Sequence, residues 1–365
     1  MATSYTVKHS QDAQIGIKGE TSFGAGVDTS SNDGTNYRRI PMVEAPKPTF
    51  NVTRESRMLS GRGSIKDAGD TLLITKGGTV TAPFDFIATP ELLLQHLALV
   101  GQVSPVGAGT NIYDMKFDGS SNKQSIGGTI TDNIPHTVNL AYMPSASGKA
   151  DGIKVTGVCC SDLSIKGDYG TNSGCITMSG NYWSGFSNPT AAGTVLEQTF
   201  DGSWTDPDEN VFIHMGDLGT KTLDVEAATN QDVIIKGFEI NIANNVNRIG
   251  GDGSGNPEMY TMPQYDITGN LTIKHDDNFD LSAASNVLQS FLSKDTLSLN
   301  LGFHDGAINA DGEMTISAEI QITADPTVEN SDQGVFWNLP FECLSVSGGN
   351  ALKVSLFSGT NLSAM

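Results

Sequence analysis

The residues best suited to chemistry lie in and after the string "KHDDNFD", which begins at Lys274. This part of the chain holds several candidate metal ligands: His275, Asp276, Asp277, Asp280, His304 and Asp305. A catalytic zinc site takes three such protein ligands and keeps one position open. The spacing along the chain does not itself bring three of them together, so we interpret them as solvated turn residues and predict no metal.

Other catalytic patterns are equally weak. An acidic cluster, Asp206, Asp208 and Glu209, could supply the paired carboxylates of a glycosidase, but turn-forming residues surround it and indicate a hydrated loop. The string "DGSGNPE" from Asp252 lacks the terminal Glu spacing of an EF-hand. Neither GxxxxGK[ST] nor GxSxG occurs. The sequence therefore predicts a protein that is not an enzyme and binds no cofactor.

The cysteines and the N-terminus bear on the compartment. Cys159, Cys160, Cys175 and Cys343 form no CxxC pair, and adjacent residues of a strand point to opposite faces. We interpret them as small hydrophobic residues with reduced thiols. The opening "MATSYTVKHS" has no apolar core of a signal peptide. The longest apolar helical run, "LLLQHLALV", is too short to span a bilayer. These features predict a soluble protein made in a cytoplasm.

Composition narrows the class of protein. The chain has 365 residues, enough for two domains, with 38% hydrophobic residues, only 17% charged residues and 41 glycines. Such a composition favours strands joined by many turns over disorder. The net charge of -20 argues against a sequence-reading DNA binder, because binding needs Lys and Arg to displace condensed counterions. It is compatible with a protein past which DNA must slide.

Period-two alternation predicts strands over most of the chain, and two segments predict helices. Thr89 can cap the first helix, Pro90 takes its first position, and Gly101 ends it. His96 lies in the apolar stripe of this helix and is predicted to be a buried histidine with satisfied hydrogen bonds. The string "LSAASNVLQSFLSK", residues 281–294, predicts the second helix.

One pattern occurs twice. "PTFNVTRESRMLSGRG" from Pro48 and "GFEINIANNVNRIGGDG" from Gly237 both read as a strand followed by a glycine-rich turn. We interpret this as a tandem duplication of a β unit with one helix; permuted copies, or a likeness common to all hairpins, are the alternatives. The predicted organisation is an N-terminal arm, a first domain, a linker and a second domain: 1–38, 39–195, 196–215 and 216–365.

Four stretches carry a resemblance to a known family: "IGIKGETSFG", "PMVEAPKPTFNVTRESR", the hairpin "LSIKGDYG…ITMSGNYWSG" and "TGNLTI". Together they resemble the tail tube proteins, or major tail proteins, of tailed bacteriophages, from about residue 15 onwards. The resemblance implies a mainly β fold of two tandem β-sandwich domains, each with one flanking α-helix. It also implies subunits that join strands side by side into a large β-barrel ring. With two fused domains, three chains would make a pseudo-six-fold ring, and rings would stack into a hollow tube.

In such a ring the polar sides of regular strands would face the lumen, and the candidates are Asn51, Thr53, Glu239, Asn241, Asn270 and Thr272. If each domain gives about four strands, a ring has roughly two dozen, more than the 16 to 18 that already enclose a channel. The arm and the loops 53–70 and 246–263 are candidates for contacts with the neighbouring ring.

The resemblance also implies partners and a location. The partners are other copies of the chain, the tail terminator, tape measure and baseplate proteins, and viral DNA that passes without specific binding; no membrane is involved. The location is the virion tail, after assembly in the host cytoplasm. Two alternatives stay open: another virion β protein, such as a tail terminator, decoration or baseplate protein, and a secreted carbohydrate-binding or hydrolytic β-sandwich. The latter predicts a signal peptide and an aromatic platform, and neither is evident.

Overall fold

The structure is a computed structural model. It describes residues 13–20, 22–24, 37–42, 47–52, 56–58, 71–73, 78–100, 104–105, 112–118, 124–126, 137–143, 153–186, 190–191, 212–225, 233–250, 256–262, 264–275, 292, 294–304, 313–332, 334–345 and 349–357. Every structural statement below refers to these residues.

The described chain is mainly β, which confirms the mainly β part of the predicted fold class; the two tandem domains and the β-barrel ring remain predictions. The elements up to residue 191 are β1 Gln14–Gly19, β2 Arg38–Arg39, β3 Thr49–Val52, β4 Ser56–Met58, β5 Thr71–Leu73, β6 Gly78–Ile87, α1 Pro90–Val100, β7 Ser104–Pro105, β8 Ile112–Asp118, β9 Gln124–Ile126, β10 Val138–Met143, β11 Ile153–Asp168, β12 Thr177–Ser184 and β13 Thr190–Ala191. The later strands are β14 Leu218–Val225, β15 Ile235–Ala243, β16 Asn247–Ile249, β17 Met259–Met262, β18 Asp266–Lys274, β19 Leu297–Phe303, β20 Met314–Ile322, β21 Thr327–Ser331, β22 Gly334–Cys343 and β23 Asn350–Phe357.

Helix α1 forms as the sequence predicts. The Thr89 hydroxyl accepts a hydrogen bond from the Leu92 amide at 3.3 Å, and Pro90 opens the helix. His96 is fully buried; its Nδ1 donates to the Leu92 carbonyl at 2.6 Å, and its Nε2 lies 2.7 Å from the Tyr182 hydroxyl. Burial lowers the pKa of His96 to about 4. The prediction of a satisfied buried histidine is confirmed. Most of the second predicted helix lies outside the described residues.

Eight antiparallel strands form a continuous layer, which we call the central sheet. Their spatial order is β3–β6–β12–β11–β15–β18–β22–β21. Four strands come from the first half of the chain and four from the second. The two halves meet where β11 pairs with β15, from Asp162 opposite Ala243 to Asp168 opposite Gly237.

A second set of strands contributes to the same apolar core as the central sheet. β11 carries the chain between the two sets, because its first residues pair with β10 and β13 and its last residues with β12 and β15. Gly157, at a φ of +61°, and a bulge after Cys160 accompany this change of partner. In the second half, β14, β19, β20 and β23 pair in sequence. One apolar cluster includes Leu140, Ile240 and Val354 and so joins both halves.

Strand β8 ties the two halves together away from the central sheet. It lies in the first half of the sequence but pairs with β23, near the end of the chain. Asp114 of β8 accepts a hydrogen bond from Ser355 at 2.6 Å and lies 2.9 Å from the Lys353 ammonium. Burial by itself would raise the pKa of Asp114, but these hydrogen bonds and the nearby lysines outweigh it and lower the pKa.

A small three-stranded sheet also joins the halves. β16 and β17 form a hairpin in the second half, and β9 of the first half adds to β17. Tyr260 of β17 is fully buried in a separate apolar cluster with Phe23, Trp183 and Phe186. Its hydroxyl donates to the Gly157 carbonyl at 2.7 Å and accepts from the Gly185 amide at 2.8 Å. The hairpin is therefore fixed to the end of β12.

Candidate functional site

The candidate site is the polar face of the central sheet. In β15, alternate residues Phe238, Ile240 and Ile242 are buried, while Glu239 and Asn241 between them are half-buried. Residues directly opposite each other on antiparallel strands share a face. The pairing registers therefore extend one polar face across the sheet, while the other face packs into the core.

Four predicted lumen residues lie together on this face. Glu239 is opposite Asn270, Asn241 is opposite Thr268, and Thr272 lies one pair further along β18. Asn51, on β3, reaches the same face through Thr79 of β6 and is exposed. Thr53 lies outside the described residues. That these residues face a lumen remains a prediction.

Sequence reasoning missed further members of this face on β11, β12 and β22. They are Asp162, Ser164, Lys166, Ser179, Asn181, Asn338 and Glu342. Their signal was present as polar residues at alternate positions of the predicted hairpin. Local alternation does not say which strands are neighbours, however, and only the pairing joins these residues to Glu239 and Asn270.

Hydrogen bonds cross the strands and hold this face in place. The Asn181 amide donates to both carboxylate oxygens of Asp162 at 3.1 and 3.0 Å. The Thr272 hydroxyl donates to the Asn338 side chain at 2.7 Å. Carboxylates outnumber ammonium groups among the described residues of this face: Asp85, Asp162, Asp168, Glu239, Asp266, Glu329 and Glu342 against Lys166, Lys236 and Lys274. The face is acidic and amide-rich.

The central sheet ends in two open strands. β3 pairs with β6, and β21 pairs with β22; among the described residues neither has a strand on its other side. All five residues of β21 are exposed, including Val328 at 48%. Strand edges of this kind are sites for pairing with another chain.

The predicted chemistry strings supply no site in the described part of the chain. His275 is exposed and accepts a hydrogen bond from the Trp337 indole at 2.9 Å. His304 is also described, whereas Asp276, Asp277, Asp280, Asp305 and the acidic cluster 206–209 lie outside the described residues. Among the described residues, no three His, Cys, Asp or Glu side chains lie close enough to hold a metal.

Two further observations concern the cysteines and membranes. All four cysteines are free thiols, and burial raises the pKa of Cys343 to about 12. No helix in the described residues has the length and apolar character needed to cross a bilayer.

Comparison with known proteins decides the family. A family model described as phage tail tube protein matches residues 10–343, which is nearly the whole chain. The chain belongs to the phage tail tube protein family. A search of the curated proteins finds no match.

This tail tube protein is accordingly a structural component of the virion tail. Membership of the family implies that it assembles with copies of itself into a tube and meets other tail components. The resemblance to tail tube proteins is therefore confirmed over the matched residues. The polar face and the two open edges of the central sheet are the parts of the structure that bear on assembly into a tube.

The N-terminal segment of the tail tube protein is anchored by a buried carboxyl group. β1 lies within the predicted arm and pairs with β10. The next residue, Glu20, accepts hydrogen bonds from the Thr137 hydroxyl and the Gly157 amide, both at 2.7 Å, and from the Gly24 amide at 3.0 Å. Burial raises the pKa of Glu20 to about 7, even though these donors and Lys154 act in the opposite direction.

Glu20→Gln should change how stability depends on pH. The pKa of Glu20 is near 4.5 when it is not buried and near 7 in the folded state, so the stability linked to its proton is fully present below about pH 4.5. That stability is lost as pH rises through 7, by an amount of about 3 kcal/mol. The variant lacks this carboxyl group, so its free energy of unfolding, relative to that of the natural chain, should be higher at pH 8 than at pH 5. Urea unfolding at both pH values measures this gain, and an unchanged difference would contradict it.

Proposed function

We propose that the protein polymerises as stacked rings into the hollow tail tube, through which the genome is delivered. Each ring contains three chains, and assembly takes place in the host cytoplasm. The tail terminator, tape measure and baseplate proteins contact the ends or the interior of the tube. The observation that carries this proposal is the central sheet, which has one acidic polar face, one apolar face and two open edges.

A duplicated unit is supported by the order of strand pairing in the two halves. Four strand pairs of the first half are β1–β10, β3–β6, β6–β12 and β11–β13. Their counterparts in the second half, in the same order, are β14–β19, β15–β18, β18–β22 and β20–β23. The long β11 corresponds to β20 followed by β21. On this scheme we place β1 in the first unit as the counterpart of β14, so that unit begins within the predicted arm. The domain boundaries remain a proposal.

The direction of the repeat supports a ring. In the spatial order of the central sheet, the first unit ends at β11 and the second unit begins at β15, and these two strands pair. The units are thus joined head to tail, and a head-to-tail contact repeated between chains gives a ring when the rotation closes. Three chains of eight central strands give roughly two dozen strands, beyond the 16 to 18 that enclose an aqueous channel.

The charge of the polar face supports passage of DNA. Carboxylate and amide groups give phosphate no cation to bind, because DNA affinity comes mainly from Lys and Arg that release counterions. A lumen dominated by carboxylates would repel the duplex from its wall. We assign Asn51, Thr53, Glu239, Asn241, Asn270 and Thr272 to this wall.

Electron microscopy tests the proposed function. The purified chain is concentrated, negatively stained and compared with tails of intact particles. We expect rings or tubes of constant width, with three-fold symmetry and two lobes per chain. Monodisperse monomers at every concentration, together with particles whose tails lack this protein, would contradict the proposal. Tubes with another symmetry would contradict the trimer alone.

Lysine on the lumen wall should impair genome delivery without preventing assembly. In Asn241→Lys with Thr272→Lys, each ammonium group can attract a phosphate by about 1 kcal/mol at 4 Å in water. The effect repeats along the tube, so fewer plaques per assembled particle are expected. The matched control is Asn241→Gln with Thr272→Gln, which has similar side-chain length and no charge. Equal plaque counts for the two variants would argue against the lumen assignment.

A further inference from the structure

The junction between β11 and β15 gives a register that can be transferred to the open edges. At this junction Ser164 is opposite Asn241, and Lys166 is opposite Glu239. If the chain repeats one unit, the open edge of β21 is the counterpart of β11, and the open edge of β3 is the counterpart of β15. The counterpart of each residue can be read from the strand next to it.

The β21 edge is aligned through β12 and β22. The pairing of β11 with β12 begins at Val158 and Ser184, and the pairing of β20 with β22 begins at Ile320 and Cys343, so we take these two pairs as counterparts. Counting the same number of residues back from Ser184 in β12 and from Cys343 in β22 makes Ser179 the counterpart of Asn338.

The strands opposite these two residues complete the alignment of the β21 edge. Ser179 is opposite Ser164, and Asn338 is opposite Thr327, so Thr327 is the counterpart of Ser164. Glu329 is then the counterpart of Lys166.

The β3 edge is aligned in the same way through β6 and β18. Trp183 is the counterpart of Glu342; Trp183 is opposite Thr81, and Glu342 is opposite Thr268. Thr81 is in turn opposite Thr49, and Thr268 is opposite Asn241. Thr49 is therefore the counterpart of Asn241, and Lys47 is the counterpart of Glu239.

We propose that residues 325–329 of one copy, which include the first residues of β21, pair antiparallel with residues 47–51 of the next copy, with Thr327 opposite Thr49 and Glu329 opposite Lys47. This inference rests on the proposed ring. It names the two strand edges that meet, their direction and their register.

Charge and apolar exposure both support this register. In the internal pair, Lys166 of β11 is opposite Glu239 of β15. In the proposed pair, the glutamate is on the β21 edge and the lysine is on the β3 edge, so a negative and a positive side chain again lie opposite each other. Lys47 and Glu329 are both exposed, and the Glu329 carboxylate also lies 3.2 Å from the Lys236 ammonium of its own chain. Val328, the counterpart of the fully buried Ile165, is 48% exposed and would be covered by the partner strand.

Prolines make this contact weaker than the internal one. At the internal junction the Tyr169 amide donates to the Lys236 carbonyl, and the Asn244 amide donates to the Ser161 carbonyl. Hydrogen-bonded and non-hydrogen-bonded pairs alternate along an antiparallel ladder, so Ile165 and Ile240 are also a hydrogen-bonded pair. Their counterparts are Val328 and Pro48, and the next such pair along is Pro326 and Phe50. Proline has no N–H, so each pair makes one bond instead of two. Weak edges would keep free chains from associating before tube assembly.

Disulfide cross-linking tests the register. Thr49 and Thr327 are counterparts of a non-hydrogen-bonded pair, whose Cα atoms lie about 4.5 Å apart and within disulfide range. Tubes assembled from a chain with Thr49→Cys and Thr327→Cys should give covalent dimers and trimers after oxidation. The matched control pairs Asn51→Cys with Thr327→Cys, a diagonal at about 7–8 Å that should cross-link far less. The natural chain, with its four cysteines, sets the background.

The outcomes separate this inference from the tube function. Tubes that form without cross-links between positions 49 and 327, or with equal cross-linking in the diagonal control, would overturn the register and leave the tube function standing. A chain that forms neither rings nor tubes would overturn both. As a second measurement, Lys47→Glu and Glu329→Lys are made in a chain with Lys236→Gln, because Lys236 lies 3.2 Å from Glu329 in the same chain. Each variant should lower the assembled fraction at low salt, and the double variant should restore it. Failure of this rescue would also count against the register.

Discussion

Gly269→Val should abolish the folded protein. Gly269 lies in β18, opposite both Ile240 of β15 and Phe341 of β22. A Cβ added there would lie 2.3 Å from the Phe341 ring and 2.4 Å from the backbone carbonyl oxygen of Glu239. The ring could rotate away, but the carbonyl belongs to the neighbouring strand and cannot move without opening the sheet. We expect a loss above about 4 kcal/mol, which is a large part of the stability of a typical domain.

Circular dichroism and thermal unfolding measure this loss, with Gly170→Ala as the control. Gly170 lies in the exposed turn after β11, where a Cβ would meet only the Asp168 side chain at 3.1 Å. This control should stay within about 0.5 kcal/mol of the natural chain. A folded Gly269→Val chain with an unchanged melting temperature would mean that β15 and β18 are not packed in this register.

The local elements were predictable because their signals are local. Alternation in β15 and β18, the turn after β11 and the capping residues of α1 all act within a few residues of one another. These signals gave the mainly β fold, one helix and the polar positions Glu239, Asn241, Asn270 and Thr272. Each of these side chains lies on the polar face of the central sheet.

The connections between distant strands could not be predicted in this way. β8 pairs with β23 and β9 with β17, although neither short strand carries a signal that names its partner. The sequence likewise gave no sign that Glu20 would be buried, because its donors Thr137 and Gly157 are more than a hundred residues away. Polar residues of β11 and β12 were missed as part of the site for the same reason: a face that spans several strands is defined by pairing.

Tyr260→Ala should cost about 3–5 kcal/mol, the usual range for removing a large buried aromatic side chain. Tyr260 is fully buried, and its ring lies 4.7 Å from that of Phe23 and 4.9 Å from that of Trp183, measured between centroids. These contacts connect the N-terminal segment, the end of β12 and the β16–β17 hairpin. Loss of the ring should therefore release the hairpin as well as lower overall stability. Limited proteolysis should then cut within residues 246–262 faster than in the natural chain.

Tyr260→Phe separates the hydroxyl from the ring. It keeps the aromatic packing but leaves the Gly185 amide and the Gly157 carbonyl without their partner. Unpaired buried groups cost about 1–3 kcal/mol, so this variant should fall between Tyr260→Ala and the natural chain. Since the hydroxyl bridges the second-half hairpin to β11 and to the residue after β12, the difference in stability between Tyr260→Phe and the natural chain measures how strongly hydrogen bonding couples the halves. If Tyr260→Ala unfolds at the same urea concentration as the natural chain and resists protease equally, this contact does not hold the hairpin in place.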